Sequence, residues 1–148
     1  MSRRIHIFLA EDNPGDVELV RESLREHNIQ YQLFLASDGA EVRRYLENLG
    51  RESDIPSPDL VLLDLNLPQA HGYELFEVLR SHPLCKETPV IIVTSSGAPK
   101  DRERAAHLGA VRYFRKPIDL AEFLELGSLI RQVVSEQGLL AASESPAG

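Results

Sequence analysis

The sequence predicts an α/β fold: a five-stranded parallel sheet with helices on both faces, a three-layer α/β/α sandwich. Three observations predict it. Strand-like apolar runs and helix-periodic stretches alternate from end to end, which is the pattern of βαβ units with right-handed crossovers. The connections between them are short, and no internal repeat or low-complexity segment interrupts them. The run Leu60-Val61-Leu62-Leu63 shows no alternation, as expected of a strand buried on both faces.

Each element has its own justification. The first strand, β1, is Ile5–Ala10, and Asn13-Pro14-Gly15-Asp16 then opens a helix. Asn13 is its N-cap, Pro14 its first helical position, and Asp16 lies on the positive end of its dipole. Val17, Val20 and Leu24 make its apolar face. β2 is about Tyr31–Ser37, followed by the capping-box-like Asp38-Gly39-Ala40-Glu41. Val42, Tyr45, Leu46 and Leu49 then fall at helical spacing. Gly50 through Pro58 is a polar, proline-containing loop.

β3 is Leu60–Leu63, and a helix from about Tyr73 to Ser81 carries Leu75, Phe76 and Leu79. β4 is Val90–Val93, and Pro99 begins a more polar helix ending near Leu108-Gly109. β5 is Val111–Arg115. Asp119-Leu120-Ala121-Glu122, a second capping-box-like start, opens one long fifth helix reaching about Gln137. The expected organisation is one domain over residues 1–140, with 141–148 as a frayed tail.

Bulk properties exclude several function classes. A chain of 148 residues can bury one full core, and its 43% hydrophobic and 26% charged residues are those of a globular protein. The net charge of −7 argues against a nucleic-acid partner, which calls for clustered positive charge. A single cysteine, Cys85, excludes an internal disulfide and suits a reducing cytoplasm. The apolar run after Met1-Ser2-Arg3-Arg4 is short and carries His6, too short for a signal-peptide core or a membrane span. A cytoplasmic protein with no membrane partner is expected.

In a parallel sheet, the carboxyl ends of the strands share one edge, where open α/β folds bind ligands. Glu11-Asp12 follows β1, Asp64 follows β3, Thr94 follows β4 and Lys116 follows β5. The adjacent acids could serve only as helix caps, but Asn13 already fills that position. Three carboxylates converging in a partly desolvated cleft would repel one another, so either some pKa values rise or a cation sits among them. An all-oxygen set with room for water suits Mg²⁺. A strand-end Asp is commonly structural, yet beside Mg²⁺ it can act as a nucleophile and form an aspartyl phosphate. Lys116 is either a solvated surface lysine or a point charge for a phosphate oxygen. Thr94 alone carries little information. The order of all five does.

With these residues in place, the chain resembles the receiver domain of two-component response regulators. The matching motifs are Glu11-Asp12, Asp64-Leu65-Asn66-Leu67-Pro68 with Gly72 beyond, Thr94-Ser95 and Lys116-Pro117. Their spacing matches as well, and coverage runs from Arg4 to about Gln137. The resemblance implies a flavodoxin-like doubly wound sheet with strand order 2-1-3-4-5. It implies that Asp64 accepts a phosphoryl group from the phosphohistidine of a sensor histidine kinase. Glu11, Asp12, Asp64 and the backbone carbonyl of Asn66 would hold Mg²⁺, with Glu11 acting directly or through water. Thr94 and Lys116 would hold phosphoryl oxygens, and Tyr113 would be the rotating aromatic of a Thr94–Tyr113 switch. Apart from self-catalysed phosphorylation and dephosphorylation of Asp64, no enzymatic activity is implied.

Two features depart from the commonest receiver. The stretch between Asp12 and Asp64 is longer by about one loop, placed at Gly50–Pro58. That loop and the Glu-Asp-Asn-Pro-Gly-Asp start resemble single-domain receivers serving phytochrome-type kinases. Ser96 is small and uncharged; in receivers this position and that of Asn66 tune hydrolysis of the acyl phosphate.

The fifth helix is apolar on more than one side. Leu120, Phe123, Leu124 and Gly127 lie near one line, and Leu126, Leu129, Ile130 and Val133 widen it. Such a stripe is either a wide core face or a surface covered by a second chain. The preferred expectation is a homodimer through the fourth helix, β5 and the fifth helix, the α4–β5–α5 side. Asp101, Arg102, Glu103, Arg104, Arg112 and Arg115 would give that side mixed charge. His71, His82 and His107 show no metal-ligand spacing and are read as surface residues. Three rivals are weighed. An aspartyl-nucleophile Mg²⁺ phosphatase usually has a second Asp two residues after the first, where Asn66 stands. A flavin carrier would suffer repulsion between Glu11-Asp12 and its phosphate. The last is a receiver-shaped binding module that is never phosphorylated.

Overall fold

The computed structural model describes residues 4–51, 55–70 and 72–138. The elements are β1 (Ile5–Ala10), α1 (Pro14–Glu26), β2 (Tyr31–Ala36), α2 (Gly39–Asn48), β3 (Leu60–Leu63), α3 (Gly72–Ser81), β4 (Val90–Thr94), α4 (Pro99–His107), β5 (Arg112–Arg115), α5 (Leu120–Leu124) and α6 (Leu126–Glu136). The strands form one sheet in the order β2-β1-β3-β4-β5. Every neighbouring pair is parallel. The expected order 2-1-3-4-5 is the observed one. His71, the middle of the Gly50–Pro58 loop and the 141–148 tail lie outside the described residues.

The two-residue period of the strands divides the core in two. Phe8, Ala10, Val61, Leu63 and Ile92 pack with Val42, Leu46, Leu75, Phe76 and Leu79 on the face covered by α2 and α3. Ile7, Leu9, Leu62, Ile91 and Val93 pack with Val17, Val20, Leu24, Phe123 and Ile130 on the face covered by α1, α5 and α6. All four residues of β3 are buried, as its unbroken apolar run requires.

The helix starts follow local chemistry. Asn13 Oδ1 accepts from the N–H groups of Gly15 and Asp16 at 2.8 and 3.2 Å. Asp38 Oδ1 accepts from Glu41 N–H at 2.8 Å, while Glu41 reaches back to Ser37 N–H at 2.6 Å. Asp119 likewise accepts from Glu122 N–H.

The expected single fifth helix is a correction: it breaks at Glu125 into α5 and α6. Glu125 donates its N–H to the Glu122 carbonyl, a tighter turn than the α-helical one. Its broad apolar stripe is also explained within the chain. Both helices pack on α1 and share one core cluster with the sheet, so Phe123, Leu126, Ile130, Val133 and Val134 are buried. Gly127 permits the close approach: a Cβ there would lie 2.1 Å from the Ser23 carbonyl oxygen. Among the described residues, only Leu120, on α5, and Ile118 just before it leave large apolar surface exposed on this side.

Cys85 is buried with a free thiol, and burial pushes its pKa to about 11, which keeps it protonated and unreactive. Among the described residues, no helix is long and apolar enough to cross a membrane.

Candidate functional site

The expected residues meet at the carboxyl edge because the sheet ladder continues past the strands. Glu11 N–H donates to the Ala36 carbonyl at 2.9 Å and Asp64 N–H to the Ala10 carbonyl at 3.1 Å. Lys116 N–H donates to the Thr94 carbonyl at 2.7 Å. Glu11, Asp64 and Lys116 are thus each pinned by backbone to the neighbouring strand. Thr94 itself is the last residue of β4 rather than the residue after it.

The loop after Asp64 is anchored separately. Gly39 N–H donates to the Pro68 carbonyl at 3.0 Å. A side chain at Gly39 would collide with the Gln69 carbonyl oxygen at 2.8 Å. Within that loop, Asn66 N–H donates to Asp64 Oδ1 at 3.0 Å.

Lys116 Nζ is the hub. It lies 2.6 Å from Glu11 Oε1, 2.8 Å from Asp64 Oδ2 and 2.8 Å from Asp16 Oδ2. Glu11 and Asp64 are buried, whereas Asp12 faces solvent. Burial pushes the Glu11 carboxyl from its usual 4.5 to about 7, against the lowering effect of Lys116. One ammonium shared among three acids cannot offset the desolvation of the most enclosed one. Burial alone would lower the Lys116 ammonium, but hydrogen bonds to Asp16, Asp64 and Glu11 push it up instead.

Glu11, Asp12 and Asp64 each offer a carboxylate oxygen within 4.8 Å of the others. Three hard oxygen donors, one open to water, fit a divalent metal such as Mg²⁺. Two cations therefore have claims on the same acids: the resident ammonium and a metal.

Thr94 Oγ1 is fully buried and accepts from Asn66 Nδ2 and Ser96 N–H, both at 3.4 Å. Tyr113 is half-buried and donates its hydroxyl to the Ser96 carbonyl at 2.7 Å, with the Arg102 guanidinium 4.6 Å over its ring. Thr94 and Tyr113 are thus joined through one loop. Ser96 Oγ donates to Asp101 Oδ2 at 2.5 Å, and Tyr73 donates to Asp101 Oδ1 at 2.9 Å. Those hydrogen bonds, from Ser96 first and then Tyr73, hold the Asp101 carboxyl below its usual range.

Sequence reasoning missed one member. The sequence assigns Asp16 only to the helix dipole, yet it bonds Lys116 across 100 residues of sequence. The available signal was its place in the first turn of a helix that starts at the functional edge.

Comparisons with known proteins agree with this geometry. The model of the response regulator receiver domain family matches residues 7–126. The response regulator Rcp1 of Synechocystis sp. is 32% identical over 120 residues, covering 81% of this chain and 82% of Rcp1. The crystal structure of Mn²⁺-bound Rcp1 superposes with a TM-score of 0.79 at 30% identity, covering 93% of this chain and 99% of that one. The phosphorylated cyanobacterial phytochrome response regulator RcpA gives a TM-score of 0.81 at 29% identity, covering 95% and 100%. The receiver domain of sensor histidine kinase PA1611 from Pseudomonas aeruginosa, with magnesium in its active-site cleft, gives 0.70 at 26% identity, covering 90% and 97%. A matching family model, the 2-1-3-4-5 sheet and an acid cluster suited to a divalent metal converge on one conclusion: the chain belongs to the response regulator receiver domain family, signalling modules of two-component systems.

Proposed function

We propose that this protein receives a phosphoryl group on Asp64 from the phosphohistidine of a sensor histidine kinase and signals by the resulting conformational switch. The observation that carries the reading is the Lys116 ammonium, 2.8 Å from Asp64 Oδ2, beside two further acids with metal-binding geometry. In the transfer, an Asp64 oxygen forms a bond to phosphorus as the phosphorus–nitrogen bond breaks. The bonding pair stays on the imidazole, which leaves neutral or takes up a proton. Positioning and charge neutralisation are most of what such a reaction needs. Glu11, Asp12, Asp64 and the Asn66 carbonyl would hold Mg²⁺, which when bound neutralises charge on the phosphoryl oxygens. Lys116 neutralises the remainder. The buried Asp64 carboxylate is oriented by its bonds to Lys116 and Asn66 N–H.

The switch begins at Thr94. Its two accepted hydrogen bonds are long, at 3.4 Å, and cost little to break. A new phosphoryl acceptor draws the Thr94 hydroxyl toward it and opens space behind. Tyr113 then leaves the Ser96 carbonyl and turns inward, a local event biasing a two-state surface. The likeness to RcpA and Rcp1 supports a phytochrome-type kinase as the donor. The exposed Ile118 and Leu120 beside β5 support a homodimer through α4, β5 and α5. The composition supports a cytoplasmic location, with no nucleic-acid or membrane partner.

The test is incubation with acetyl phosphate and Mg²⁺. The expected result is a mass gain of one phosphate that disappears in Asp64→Asn. A wild-type protein that never gains mass under conditions of slow hydrolysis would be a receiver-shaped binding module instead.

A further inference from the structure

We propose that Asp16 is a positioning residue that competes with the phosphoryl group for Lys116, and so sets how tightly the phosphorylated state is held. The inference rests on Asp64 being the phosphoacceptor. An ammonium has three hydrogens to donate, and here all three have a carboxylate within reach: Glu11, Asp64 and Asp16. A phosphoryl oxygen gains Lys116 only by displacing one of them.

The three acids are not equivalent in that exchange. Glu11 and Asp64 belong to the acid cluster that fits a divalent metal, and Asp16 does not. With metal and phosphoryl group bound, Glu11 would serve the metal and Asp64 would have lost its carboxylate charge. Asp16 alone keeps a full negative charge directed at the ammonium. It also lies within a few ångströms of Asp64, because both share the same Nζ. It therefore repels the phosphoryl oxygens as well as drawing Lys116 away from them.

Asp16 is not needed where a structural acid would be. The first turn of α1 already has its cap: Asn13 Oδ1 satisfies the N–H groups of Gly15 and Asp16, and Glu11 Oε2 satisfies Asn13 N–H at 3.1 Å. The Asp16 carboxylate instead leans into the cleft, with 22% of its side chain exposed.

The test is the affinity of the full chain for beryllium trifluoride, a phosphoryl mimic, at saturating Mg²⁺, read by calorimetry or fluorine NMR. Asp16→Asn and Asp16→Ser should both bind it roughly tenfold more tightly than wild type, the scale for removing one like charge from a partly solvated cleft. The gain should shrink at high salt. Asp16→Glu, which keeps the charge, should stay near wild type. Unchanged or weaker binding by either neutral variant overturns the proposal, because a purely helix-stabilising acid would alter urea stability without altering affinity. A wild-type protein that does not bind the mimic at all would overturn the phosphoacceptor reading itself. Wild-type binding with no gain in the neutral variants would sink only the role of Asp16.

Discussion

At Glu11, a buried carboxyl shares one ammonium with two other acids, and burial pushes its pKa to about 7. A raised acid is penalised in the folded state when charged. The metal-free protein therefore loses stability as pH climbs from about 4.5 to about 7, then levels off. Metal binding has the opposite trend, since it needs the carboxylate and expels its proton. Mg²⁺ affinity, titrated about one unit either side of 7, should rise roughly tenfold toward the alkaline side. Glu11→Gln should bind more weakly and lose that pH dependence. Lys116 gives the complementary prediction. Lys116→Met leaves Glu11, Asp16 and Asp64 facing one another without their shared cation. Metal-free stability should fall by about 3 kcal/mol in urea unfolding. Mg²⁺ should restore most of it, because the metal then binds without a resident competitor.

Among the elements, α6 makes the sharpest stability prediction. Replacing glycine by alanine in an exposed helix normally helps by up to about 1 kcal/mol. At Gly127 the added Cβ would meet the Ser23 carbonyl and the His27 ring, both belonging to or bordering α1. Gly127→Ala should therefore destabilise by about 2 kcal/mol, the scale of overpacking, in urea denaturation. Most elements were legible because their signals are local: Asn13, Asp38 and Asp119 each cap the helix that they start. The break at Glu125 was not. Leu124-Glu125-Leu126 contains no proline or glycine, so nothing local marks it. The extra width of the stripe is compatible with a second chain or with the core, and α1 covers most of it. Which helix covers a stripe is a tertiary fact, and periodicity reports only that something must.

For the molecule as a whole, the described residues leave only a small apolar surface for assembly on this side. Of the expected interface residues, Phe123, Leu126, Ile130 and Val133 are committed to the core, while Leu120 remains more than half exposed. Ile118, just before it, is fully exposed. The proposed homodimer should accordingly be weak in the unmodified protein and strengthen on phosphorylation. Sedimentation should show the phosphorylated form shifting toward dimer mass, and Ile118→Glu abolishing that shift without changing phosphorylation. A monomer at high concentration in both states would rule the dimer out.

The sequence by itself determined the sheet and the edge where chemistry is placed. Parallel βαβ repetition puts every strand's carboxyl end on one side, so residues that follow β1, β3, β4 and β5 must be neighbours. It also singled out Glu11, Asp12, Asp64, Thr94 and Lys116 as candidates, because each sits at or next to a strand end. Only the tertiary structure decided which of those groups bond to one another. Lys116 could have met Asp64 alone; the first turn of α1 brings Asp16 to it as well. Tyr113 packs against the core, and only the tertiary structure decided that its hydroxyl is held by the Ser96 carbonyl. Hydrogen bonds and ion pairs are decided over a few ångströms, by the packing angles of helices against the sheet, and no periodicity in the chain encodes those.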